Sequence, residues 1–371
     1  MRLLLFVLPF LIVYSLSAQP KQFYLLTGTY TDGKSEGIYT YKFNSENGTA
    51  QLASTIKASN PSFLTISKDE KLVYAINDAR KNGNSEVAAY HFNKETGELT
   101  FINKQTEKGS GACHINVDSK KKWVFMANYA TGNLSALSIK KDGGVDTLKQ
   151  FFQDTGKSIH PNRQKEPHIH AAFFSPNEKY LFVTDLGNDI IHKFPFNASA
   201  DLPLSIKDEQ IIKSKTGNGP RHLTFSSDNK YMYVINELSG TIDVFEIKEK
   251  RTELVQTINT DSTQNETKGS ADIHLSPDGK FLYATNRGNF NSIASFSVLQ
   301  NGHLKLLQVL STGGIMPRNF VIDPSGNYLL IANQKSDNIT FFKRDKATGL
   351  LSKTDQIINV GSPVCLKFIN L

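Results

Sequence analysis

LSPDGKFLYATN, residues 275–286, reads as a β-hairpin: an apolar run closes at Leu275, Ser276-Pro277-Asp278-Gly279-Lys280 turns the chain, and FLYATN runs out again to a terminal amide. The phrase recurs as ISKDEKLVYAIN (66–77), VDSKKKWVFMAN (117–128), FSPNEKYLFVTD (174–185), FSSDNKYMYVIN (225–236) and IDPSGNYLLIAN (322–333). The closing residues Asn77, Asn128, Asp185, Asn236, Asn286 and Asn333 mark the copies, at spacings of 51, 57, 51, 50 and 47. A unit of that size cannot cover its own apolar faces, so the copies must stack on one another.

A third extended run follows each hairpin, such as GTIDVFEI (240–247), SIASFSV (292–298) and NITFFK (338–343), and a fourth ends near Gly or Pro, as in KTGNGP (215–220). Four short strands per repeat make a propeller blade. A helical solenoid is the rival, but the runs are rich in Val, Ile, Phe, Tyr and Thr and lack the 3.6-residue period. The tail PVCLKFINL (363–371) reads as a first strand with nothing after it, and FYLLTGTY (23–30) with GIYTYKF (37–43) as later strands with nothing before them. Joined, they complete a seventh blade. The predicted fold is therefore all-β: a seven-bladed β-propeller over residues 22–371, with four-stranded antiparallel blades and a ring closed by the C-terminal strand.

Met1-Arg2 and the apolar stretch after it, ending in Ser15, Ser17 and Ala18, read as a secretory signal peptide over residues 1–18, which predicts an exported protein, periplasmic or secreted, with no membrane anchor once it is cut. The net charge of +7 is spread over lysines alternating with acidic and amide residues in turns, a pattern that does not point to nucleic acid. Cys113 and Cys365 fall in blades that are not neighbours and are expected to be free, buried thiols. No cofactor or metal motif stands out, and a monomer is expected.

In a propeller the first strand of each blade lines the channel, so its start and the end of the second strand share one rim. Counting from the markers, the lead position of the first strand holds Ser62, Cys113, His170, Arg221, Ala271 and Arg318. The next holds Phe63, His114, Ala171, His222, Asp272 and Asn319, and the residue after the marker is Asp78, Tyr129, Leu186, Glu237, Arg287 or Gln334. Equivalent positions in a repeat should be small or apolar. Ionisable groups that differ from blade to blade are costly there unless they pair with or bind something.

On GTYTDGKSEGIYTYKF (28–43), CHINVD (113–118), PHIHAAFFSPNEKYLFVTDLGND (167–189), GPRHLTF (219–225), INELSGTIDVF (235–245) and ADIHLSPDGKFLYATNRG (271–288), the chain resembles the seven-bladed propeller lactonases, bacterial 6-phosphogluconolactonases among them, with the carboxy-muconate lactonizing cyclases as a sister branch. That resemblance implies a catalytic set of His170, Arg221, Glu237 and Arg287, with His114, His168, His222, Asp272 and Arg318 as further substrate contacts. It implies an anionic lactone or sugar acid as the small-molecule partner. His170 or Glu237 would activate water, and the arginines would hold an oxyanion or a substrate phosphate or carboxylate. A muconate-type cycloisomerase and a non-catalytic propeller that binds a glycan or protein are the alternatives. An exported enzyme would work outside the cytosol, where phosphogluconolactone is made, so a phosphate on the substrate stays an open point.

Overall fold

The computed structural model describes residues 21–78, 83–248, 251–261 and 269–371. The leader read at residues 1–18 lies outside the described residues. No helix among the described residues is long and apolar enough to cross a membrane.

Seven four-stranded antiparallel sheets form the ring. Blade 1 combines the N-terminal strands Gln22–Thr29, Gly37–Asn44 and Thr49–Lys57 with the C-terminal strand Pro363–Asn370, which is innermost. Blades 2 to 7 then span residues 64–106, 112–153, 169–213, 220–259, 270–311 and 317–359. The closure is a paired ladder from Phe23 opposite Asn370 to Thr29 opposite Pro363. The innermost strands abut one another around the ring, and Pro363–Asn370 lies between those of blades 7 and 2. The predicted circular closure is what the structure shows.

Each hairpin turn is fixed by its own side chains. Ser276 Oγ donates to Asp278 Oδ1 (2.5 Å) and accepts from the Phe281 N–H (3.0 Å). The fourth turn residue is left-handed, Gly279 at φ +68° and its counterparts Glu70, Lys121, Glu178 and Asn229 at 56°, 54°, 50° and 59°. Glycine is at ease there, whereas the others carry a cost of about 1–2 kcal/mol that the rest of the turn offsets.

Blades adhere through apolar faces and a repeated polar clasp. Tyr233, Ile235, Leu282, Phe296 and Leu304 share one buried cluster between blades 5 and 6. Hydroxyls of buried tyrosines reach the turn of the next blade: Tyr74 to the Gly143 carbonyl (3.0 Å), Tyr233 to Gly302 (3.0 Å) and Tyr283 to Gly349 (2.8 Å). An outer-strand amide completes the clasp. Gln256 accepts from the Leu304 N–H (2.7 Å) and donates to its carbonyl (2.9 Å), and Gln150 does the same with Leu204 (2.9 and 2.7 Å). These ties need no disulfide; both cysteines are free.

Candidate active site

The lead position of the inner strands is not an ordinary rung. In blade 4, Ile169 pairs with Asp185 and Ala171 with Thr184, which leaves His170 as the extra residue of a bulge. The same skip falls on Cys113, between Ala112–Asn128 and His114–Ala127, on Arg221, between Pro220–Asn236 and His222–Ile235, and on Arg318, between Pro317–Asn333 and Asn319–Ala332. A bulge bends the strand and re-aims one side chain, here onto the rim. The residue after the marker is pinned beside it by its own N–H: Glu237 to the Gly219 carbonyl (2.8 Å), Arg287 to Gly269 (3.0 Å) and Tyr129 to Gly111 (3.1 Å). Gly219, at φ +65°, also lies where a Cβ would come within 2.6 Å of Leu238.

These devices surround a cavity of about 400 Å³ lined by Tyr30, Asp78, Cys113, Tyr129, Arg163, His170, Glu237, Arg287 and Arg318, with backbone at Gly111, Ala112 and Ala130. Glu237 is its electrostatic centre. Oε2 takes Arg287 Nη2 at 2.7 Å and Arg221 Nε at 3.1 Å, while Oε1 takes Arg163 Nη2 at 2.6 Å. Burial alone would raise the Glu237 pKa, but Arg287, Arg221 and Arg163 more than reverse it and hold the carboxyl well below the ordinary range. Such a carboxylate is a fixed anion and a poor proton acceptor.

Arg221 lies beneath the pocket, 2% exposed, with Nη1 donating to the Ala271 carbonyl. Burial and the facing Arg287 and Arg318 bring its pKa down to about 9, still cationic at neutral pH. Four guanidiniums, of Arg163, Arg221, Arg287 and Arg318, thus face two carboxylates, Glu237 and Asp78, and the pocket carries a positive surplus.

His170 is 4% exposed. Burial, then Arg221, His222, Arg318 and Arg287, push its pKa well below 6.5, so the imidazole is neutral at pH 7. Its Nδ1 is buried without a hydrogen-bond partner among the described residues. The ring stands edge-on to Tyr129 (centroids 5.6 Å apart) and His222 (5.3 Å).

The structure brings His170, Glu237, Arg287 and Arg318 to the pocket, with Arg221 just below. It does not place His114, His168, His222 or Asp272 in the lining. His114, His222 and Asp272 sit one position further along the inner strands, where the pleat turns them into the channel. There His222 Nδ1 meets Asp272 Oδ1 at 2.7 Å, and Asp272 Oδ2 takes His274 Nε2 (2.9 Å) and the Phe320 N–H (3.2 Å). His114 packs between Phe63 and Phe173, both 4.5 Å away between centroids. This layer lies directly against the site: the His222 ring is 5.3 Å from that of His170 and 5.6 Å from that of His114. Burial and Arg221 take the His222 pKa down to about 4. His168 stacks on Tyr129 at 4.2 Å, and its Nδ1 lies 2.8 Å from the Tyr129 carbonyl oxygen, so it buttresses Tyr129 from behind. Cys113, expected to be buried, is half-buried at the pocket, with Sγ 3.1 Å from the His170 carbonyl. Burial pushes its thiol up to about 12.

Arg163, Tyr129, Tyr30 and Asp78 line the pocket without having been singled out as site residues. Tyr129 and Asp78 were in the rim register. Arg163 lies outside the repeat, in the linker 154–168 between blades 3 and 4. Its one trace in the sequence is the 57-residue spacing from Asn128 to Asp185, the longest of the set.

At the base of that linker, Asp154, Asp185 and His192 bring potential metal-ligand atoms within 4.8 Å of one another. Both imidazole nitrogens are occupied by carboxylates, Nε2 by Asp154 (2.9 Å) and Nδ1 by Glu209. Against the opposing effect of burial, Asp154 and Glu209 raise the His192 pKa to about 9, and the protonated ring serves as the cation of the cluster.

The family model described as "Lactonase, 7-bladed beta-propeller" matches residues 24–368. A 6-phosphogluconolactonase of Formosa agariphila is 40% identical over 347 residues, covering 92% of this chain and 98% of that one. A 6-phosphogluconolactonase of Bacillus subtilis is 36% identical over 355 residues, 92% and 97% of the two chains. Among solved structures, a putative 6-phosphogluconolactonase from Bacteroides fragilis superposes with a TM-score of 0.90 at 40% identity, covering 94% of this chain and 98% of that one. The periplasmic gluconolactonase of Pseudomonas aeruginosa gives 0.89 at 32% identity, with 94% and 99% covered.

Proposed function

The chain belongs to the seven-bladed β-propeller lactonase family, and from that membership we propose that the cationic pocket at the channel mouth hydrolyses a sugar-derived lactone, with His170 as the group that moves the proton. The protein is a carboxylic-ester hydrolase of the 6-phosphogluconolactonase kind. The observation that carries the role of His170 is its neutral imidazole, whose Nδ1 has no hydrogen-bond partner among the described residues, set on a pocket ringed by guanidiniums.

The chemistry follows from the charges. Water attacks the lactone carbonyl carbon as His170 accepts its proton, and the carbonyl oxygen becomes an oxyanion. Arg287, held in place by Glu237, offers its remaining N–H groups to that oxygen, and Arg221 adds its positive charge from just below. The ring C–O bond then breaks, and the leaving alkoxide takes the proton from His170. Because its surroundings disfavour the imidazolium, His170 gives that proton up readily. Glu237 is the anchor of the arginines and takes no proton.

Export is part of this reading. The leader at residues 1–18 supports it, and one similar structure is that of a periplasmic enzyme. The test is direct: purified protein should accelerate the opening of glucono-δ-lactone or 6-phosphogluconolactone, and His170→Asn should remove that activity with an unchanged melting temperature. A wild-type protein inert on both lactones would overturn the proposal.

A further inference from the structure

We infer that Arg163 is a specificity-determining residue, a guanidinium carried over the pocket mouth by the inserted linker to read the anionic substituent of the lactone. The inference rests on the lactonase reading above and deepens it.

The count of N–H donors separates the four arginines. Arg287 commits Nε to the Gly269 carbonyl (3.0 Å) and Nη2 to Glu237 and the Ser270 carbonyl (3.4 Å). Arg221 commits Nε to Glu237 and Nη1 to Ala271 and His222. Both are buried, and they build the site. Arg163 uses Nη2 alone, with one bond to Tyr129 Oη (2.9 Å) and one to Glu237 Oε1 (2.6 Å). Its Nε–H and both Nη1 hydrogens meet no acceptor among the described residues, and its side chain is 39% exposed. Arg318, half-buried on the same pocket, lies 5.9 Å from the Tyr30 ring and makes no hydrogen bond or ion pair with another described residue.

Arg163, at the exposed edge, and Arg318, on the lining, therefore form an outer pair with unspent cationic donors, while Arg221 and Arg287 are tied to Glu237. A phosphate or carboxylate remote from the lactone carbonyl fits the outer pair, which can grip it with charge-assisted hydrogen bonds.

The linker is built to hold Arg163 still. Ser158 Oγ donates to Asp189 Oδ2 (2.6 Å), and Gln164 Nε2 donates to the Leu186 carbonyl (2.9 Å). The Asp154–His192 pair fixes its base. Through Arg163 the linker joins Tyr129 of blade 3 to Glu237 of blade 5, passing over blade 4. No other linker among the described residues sends a side chain to Glu237.

The experiment compares wild type, Arg163→Gln and Arg163→Lys on three lactones: neutral glucono-δ-lactone, 6-phosphogluconolactone and glucarolactone, which bears a carboxylate. For Arg163→Gln, kcat/KM on the charged lactone that wild type prefers should fall about tenfold to a hundredfold further than on the neutral lactone, with the extra loss carried by KM. Arg163→Lys should recover part of the loss. The charged lactone most affected identifies the anion read. An equal fall on neutral and charged lactones, or no fall on either charged one, overturns the inference while leaving lactone hydrolysis intact. A wild type that opens none of the three overturns the lactonase reading itself.

Discussion

Arg287 Nη2 lies 2.7 Å from Glu237 Oε2, and the two residues belong to neighbouring blades, 6 and 5. The pocket is thus an inter-blade contact as well as a chemical site. Its charges hold the ring together where the sheets themselves do not pair.

Replacing Glu237 by Gln keeps the shape and removes the anion from between three arginines. Breaking a buried pair in this way should cost about 3–5 kcal/mol. Activity should fall with it, as the arginines lose their common anchor. The folded-state pKa of Glu237 is depressed, so its contribution is fully present above the unfolded value near 4.5 and is lost as pH falls below it. Urea titrations of wild type and variant should differ by a constant amount from pH 8 to about 5 and converge toward acid.

His170 supplies a kinetic signature. A histidine whose pKa is pushed well below 6.5 stays a competent base in mildly acid solution. The acid limb of kcat/KM should therefore lie clearly below pH 6.5, and His170→Asn should lower kcat about a hundredfold or more. An acid limb centred at 6.5 would show that the titrating group sits in water, away from the arginines.

The His192 cluster acts at the other end of the scale. Its folded pKa of about 9 exceeds the unfolded 6.5, so its stabilisation is complete below pH 6.5 and disappears as pH rises through 9. Chemical denaturation at pH 6 and pH 10 should show wild type losing about 3 kcal/mol from this group. His192→Gln should be less stable at pH 6 and nearly flat over the same range.

Cys113 borders the cavity, yet burial keeps its thiol protonated up to about 12. Iodoacetamide at pH 8 should leave it unlabelled in the native protein, since the thiolate is the reactive form. Cys113→Ser should retain activity within about threefold, there being no thiolate nucleophile to lose. Rapid labelling with loss of turnover would give this sulfur a chemical part.

The blade count, the closure of 363–371 on the N-terminal strands and the rim position of His170, Arg221, Glu237 and Arg287 were all legible in the repeat, because register in a β-array is set by its turns and its apolar alternation. Depth was not. His222 and Arg221 are adjacent in sequence, but one step along a strand reverses the face, and the bulge at Arg221 sends the two side chains to different levels of the channel. Arg163 escaped because it belongs to no repeat position. The acid–base roles escaped because Glu237 and His170 owe their charge states to neighbours from three blades and a linker, which only the fold assembles.

The bulges have an evolutionary side. Because Cys113, His170, Arg221 and Arg318 fill no rung of their ladders, any of them can be exchanged without shifting the pairing that follows. Descendants of such a ring could retool the mouth one blade at a time, trying new reagents on an unaltered chassis.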